Sequence, residues 1–72
     1  MINHILDKTD KGREEIATRK YHLAPRLRSL LVLADGKHRT EDLLTKVAGL
    51  GLTEQSITEL LDNGFIQIIL EA

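Results

Sequence analysis

Between Pro25 and Leu70 the chain carries three successive pairs of helix-start and helix-stop signals, and they dictate an order of elements. Pro25 opens a helix, because its missing N–H would be unpaired in a first turn anyway. Leu27, Leu30, Leu31 and Ala34 then follow the i, i+3, i+4, i+7 spacing of one buried face, with Leu23 placed to staple the first turn. Val32 and Leu33 widen that face, which predicts a helix covered on several sides, and Gly36 offers a left-handed stop. Lys37, His38 and Arg39 read as a basic turn. Thr40 caps the next helix, with Glu41 and Asp42 in its first turn and Leu43, Leu44, Val47, Ala48 and Leu50 on its inner side. Gly49 and Gly51 turn the chain within a few residues. Thr53 caps a further helix that points Ile57, Leu60 and Leu61 inward, and Asn63-Gly64 closes it. Phe65 to Leu70 is β-branched and too short for a helix, so it reads as a strand.

Upstream the signals are weaker. Residues 2–6 are short and apolar and predict a brief strand ending at the polar cluster Asp7 to Asp10. Thr9 or Asp10 caps a first helix running to about Lys20, with Glu14 and Glu15 toward its positive end and Arg19 and Lys20 at its negative end. Only Ile16, Ala17 and Tyr21 offer it an apolar stripe, and Gly12 weakens it, so it reads as a loosely anchored surface helix. The expectation is one domain over residues 1–72, mainly α with a small β element. Residues 1–22 form a strand and helix extension, and residues 25–70 form a three-helix core plus a strand.

Seventy-two residues barely supply one core, so the apolar complement must be well buried. That complement is aliphatic, with thirteen Leu and seven Ile against one Tyr and one Phe, and it lacks the aromatics that stack single-stranded bases or line cofactor pockets. Cysteine is absent, which removes disulfides, thiolate metal sites and a thiol nucleophile. No apolar run approaches the roughly 18 residues of a membrane span, and the charged amino terminus does not read as a signal peptide, so a cytoplasmic protein is expected. The net charge of −1 conceals a polarity: residues 1–40 hold nine basic and five acidic side chains, whereas residues 41–72 hold one basic and six acidic. Such a split steers an anionic partner to the first half or pairs one copy of the chain with another.

The stretch Leu30 to Gly36, then Arg39-Thr40-Glu41-Asp42-Leu43-Leu44, Gly51-Leu52-Thr53, Ile57, and Leu60-Leu61-Asp62-Asn63-Gly64-Phe65-Ile66 resembles the bacterial winged-helix (helix-turn-helix) family over about residues 25–70. The resemblance implies a winged-helix-like core whose helix Thr53 to Asn63 corresponds to the one that enters the DNA major groove, and a role in bacterial regulation. The segment Lys8 to Ile16 looks like the start of the helix that follows the wing in many such regulators, although here it comes first. Two departures weigh against DNA. The reading helix offers Glu54, Gln55, Ser56, Thr58, Glu59 and Asp62, with no cation to release counterions from phosphates. The wing also needs a second strand after a turn, and the chain stops at Ala72, so no basic wing tip is expected.

No catalytic constellation is evident. His4, His22 and His38 are far apart and share no helix face, so no metal site is expected, and Ser29, Ser56 and the threonines lack an adjacent base. Neither Asp35-Gly36 nor Asn63-Gly64 matches a nucleotide-binding loop. No cofactor and no small-molecule substrate is implied. Two sets of residues remain as candidate sites. Arg13, Arg19, Lys20, Arg26, Arg28, Lys37 and Arg39 would form a basic patch if the first two helices pack together. The strand is apolar on both faces, and Phe65, Gln67 and Ile69 would favour self-association unless residues 2–6 cover them. The expected function is therefore a non-enzymatic module binding a protein partner or a second copy of itself. The alternative is a DNA-binding regulator that holds phosphates through its basic half and offers Gln55, Ser56 and Thr58 to bases.

Overall fold

The computed structural model describes residues 3–70. The chain runs β1 (Ile5–Lys8), α1 (Asp10–Thr18), α2 (Pro25–Leu33), β2 (Asp35–Arg39), α3 (Thr40–Val47), a single 3-10 turn (Ala48–Leu50), α4 (Glu54–Asp62) and β3 (Ile66–Leu70). It is 56% helical, with four helices and one small antiparallel sheet, so the mainly α class with a minor β element holds. The sheet order is β2-β1-β3, which places the N-terminal strand at the centre. Leu6 lies opposite Ile68, and Lys8 opposite Ile66.

Leu30 and Leu31 of α2, Leu43 and Val47 of α3, and Ile57 and Leu60 of α4 are fully buried, as the helical spacing of the leucines requires. The sheet adds Leu6 and Ile66 to this core, and Phe65 enters it from the turn before β3. The chain turns at glycines in the left-handed region before α4, at Gly51 (φ +76°), and before β3, at Gly64 (φ +77°), whereas the α1–α2 connection uses Arg19 and His22. Thr9 caps α1 by accepting from the Gly12 N–H at 3.1 Å, and Ser56 accepts from the Thr53 N–H at the start of α4.

Several expectations are corrected. The first strand is Ile5–Lys8 rather than residues 2–6, of which residue 2 lies outside the described residues. Helix α1 stops at Thr18, with Arg19 in the left-handed region as its cap. The supposed basic turn is β2, formed because β1 lies beside it and supplies hydrogen-bond partners to a segment with no apolar alternation. Gly36 (φ +80°) sits inside that strand, so α2 ends instead at Ala34, whose N–H bonds the Leu31 carbonyl. Arg39, not Thr40, occupies the cap position of α3. Thr40 is buried and donates its hydroxyl to the His4 carbonyl at 3.2 Å. Leu50 is exposed, because the helix ends before it.

Helix α1 is also more firmly held than its sparse apolar stripe predicts. Gly12 is buried, and a Cβ there would overlap the Phe65 carbonyl oxygen and crowd Leu31. Glu15 is buried without any exposed surface. Its carboxylate accepts from the N–H groups of Tyr21 (2.7 Å) and Leu23 (3.2 Å) and from Arg28 (3.2 Å). One buried anion therefore ties α1, the connecting loop and α2 together.

Candidate functional site

The solvent face of α4 is polar and acidic. Thr53, Gln55, Ser56, Thr58, Glu59, Asp62 and Asn63 line one shallow groove along it, and α4 contains no lysine or arginine. Gln55 and Thr58 are exposed and Ser56 is half-buried, its hydroxyl committed to the Thr53 N–H. A phosphate approaching this face meets carboxylates, and no counterion release from the helix offsets the repulsion.

Most of the seven basic candidates have partners within the fold. Arg28 is turned inward: besides the Glu15 carboxylate, it donates to the carbonyls of Glu15 (2.6 Å) and Ile16 (3.3 Å). Its two partners on α1 explain why a patch residue in the sequence is a structural cation in the fold. Arg13 lies between Asp7 (3.6 Å) and Asp10 (3.3 Å). Lys20 pairs with Glu14 at 3.3 Å, and Arg26 reaches the Leu50 carbonyl. Arg39 donates to the Asn3 carbonyl, and Lys37 is exposed on β2. Arg19 and Arg28 share the rim of a groove with His22, Leu23, Pro25, Ser29 and Val32. None of the other five lines that groove.

The burial of Glu15 by itself raises its carboxyl pKa, yet the two backbone donors and Arg28 outweigh that and hold it below the ordinary value of 4.5. Asp35 is lowered to about 2 from 3.8, chiefly by the hydrogen bond with His38 and then by the Lys37 N–H. Glu15 is engaged by Tyr21, Leu23 and Arg28, and Asp35 by His38 and Lys37, so both shifts follow from structural hydrogen bonds. His4, His22 and His38 lie apart, and among the described residues no group of three histidine or carboxylate side chains is placed to hold a metal. No helix of the described residues is long and apolar enough to cross a membrane.

The strand β3 divides differently from its two-faced sequence pattern. Phe65, expected at a surface, is buried, with its ring edge-on to Tyr21 at 5.6 Å and Lys11 above it. A core site for this ring follows from the turn at Asn63-Gly64, which delivers it directly beneath α1. Beyond it Gln67, Ile68, Ile69 and Leu70 are all exposed, and Leu70 retains 53% of its accessible surface. Coverage by the first strand is lateral only: β1 pairs with β3 edge to edge and leaves these side chains uncovered. Alternation alone groups Ile68 with Ile66, which is why the sequence does not single out Ile68. No family model, curated protein or solved structure matches the chain.

Proposed function

We propose that this chain is a winged-helix-like module that binds protein rather than DNA. The order α2, β2, α3, α4, β3 supports the winged-helix part, since it gives helix, strand, helix, helix and opening wing strand in the sequence expected of that family. The family's wing is completed by a second strand antiparallel to the first. Here the antiparallel neighbour of β3 is β1, which comes from the other end of the chain and leads into α1. That order also accounts for the likeness of Lys8 to Ile16 to the helix after the wing. The module is then a winged helix with its last strand and helix moved to the front.

The observation that carries the protein-binding reading is the surface of α4: the helix that would enter the major groove exposes Glu54, Glu59 and Asp62 and no cation. The basic side chains that could compensate are held mostly by nearby carboxylates and carbonyls. Fluorescence anisotropy with a labelled mixed-sequence duplex is the direct test. The expected result is no binding at micromolar protein in about 50 mM salt, where phosphate contacts are strong. Binding that falls steeply as salt rises, with Gln55 and Thr58 protected, would establish the DNA-reading alternative.

A further inference from the structure

We propose that the edge of β3 left unpaired among the described residues pairs with the β3 of a second copy of this chain, antiparallel about a twofold axis through Ile68, to make one continuous six-stranded sheet. The inference rests on the protein-binding reading above and names its partner. The backbone provides the first argument. The Thr9 N–H donates to the Phe65 carbonyl at 3.0 Å, so β1 takes up the groups of Phe65 that face it. Antiparallel alternation from that bond onward turns the N–H and C=O of Ile66 and Ile68 away from β1, to the open side of the sheet. A twofold through Ile68 lets the two copies of this residue exchange both hydrogen bonds.

Charge selects both the edge and the occupant. Strand β3 contains no charged residue and no proline, the usual guards of an exposed edge. Pairing it with itself sets Ile68 against Ile68, Ile66 against Leu70 and Gln67 against Ile69, with no like charges opposed. The other edge, β2, carries Asp35, Lys37 and Arg39, the charged guards that β3 lacks. Apolar surface points the same way. Ile68 (38% exposed) lies opposite Leu6 and shares a sheet face with Ile66, so a second copy extends the core across the junction and covers it. The dimer ends in a β2 at each side, and those charged edges stop growth at two copies.

Sedimentation velocity on the full chain, from a few micromolar to several hundred, tests the proposal. The expected result is a concentration-dependent monomer–dimer equilibrium. Ile68→Lys should weaken association at least about a hundredfold, because two ammonium groups would meet at the axis. Val32→Lys, on an even more exposed apolar site of α2, should leave it unchanged. Should Ile68→Lys fail to fold, hydrogen exchange on the unaltered chain decides: the Ile68 amide should be protected in concentrated samples and exchange freely on dilution. A monomer at every concentration, assembly beyond two copies, an Ile68→Lys dimer as tight as the parent, loss of the dimer in Val32→Lys, or an Ile68 amide indifferent to concentration would overturn the proposal. None of these outcomes bears on the DNA titration, so the two readings fail separately.

Discussion

Gly12 lies where α1 crosses the start of β3, and the space for a side chain there is already filled by the Phe65 carbonyl and Leu31. Adding one methyl forces the helix away from the sheet. Gly12→Ala should therefore destabilise by about 1–3 kcal/mol, despite the higher helix propensity of alanine, and a urea titration will register it as a lower midpoint. Glu15 sets a second residue-scale expectation. Replacing it by Gln removes the charge that Arg28, Tyr21 and Leu23 are arranged around, so Glu15→Gln should lower the thermal midpoint at pH 7. Glu14→Gln, which breaks only the exposed pair with Lys20, should be close to neutral. The pH dependence has a definite sign for Asp35. Its folded pKa of about 2 lies below the ordinary 3.8, so its contribution is complete above the ordinary value and is lost as pH falls toward 2. Asp35→Asn should flatten that acid limb in a series of urea midpoints, and parallel curves for the two proteins would refute the assignment.

At the scale of elements, the two ends of the described chain are fastened at one point. Thr9 caps α1 through Gly12, and its hydroxyl donates to the Gly64 carbonyl at 2.5 Å, while its N–H holds Phe65. Lys11 adds a bond to the Asn63 carbonyl. The start of α1 and the end of α4 are thus one junction. Thr9→Ala should cost about 1–2 kcal/mol through the lost cap and the unpaired carbonyl, and Thr9→Ser should recover most of it. Chemical denaturation of the two variants side by side separates the hydroxyl from the methyl. An equal loss in both would place the effect in packing instead.

The whole molecule has its first and third strands side by side, with Ile5 opposite Leu70. If β1 stands in the place of the wing's second strand, as the proposed order has it, the two strands can be joined by a covalent turn without changing the sheet. A circular permutant that begins at Ala24, runs to Leu70 and continues through a short glycine-containing turn into Asn3 to Leu23 keeps every strand pairing. It should retain the helical circular dichroism of the parent and unfold in one cooperative transition. A permutant without cooperative unfolding would show that β1 and α1 depend on their position in the chain. The same permutant bears on self-association, since the edge of β3 away from β1 is untouched by the new turn.

The helices α2, α3 and α4 were legible because their signals are local: Pro25 and Thr53 at starts, glycines at turns, and leucines at helical spacing that any nearby surface can bury. Two features of the first forty residues were not. Lys37, His38 and Arg39 have no strand pattern of their own, and they extend only because β1 lies next to them. Gly12 and Glu15 look like weaknesses of a surface helix until Phe65 and Arg28 arrive from distant parts of the chain. The inward turn of Arg28 was hidden for the same reason, since its partners Glu15 and Ile16 are brought to it by packing rather than by proximity in sequence. What the residues alone determined was the acidic face of α4, because charge and helical period are both local properties. The tertiary structure alone decided which strand lies at the centre of the sheet, and therefore which apolar edge is left open among the described residues, because hydrogen bonding between strands joins segments that have no proximity in the chain.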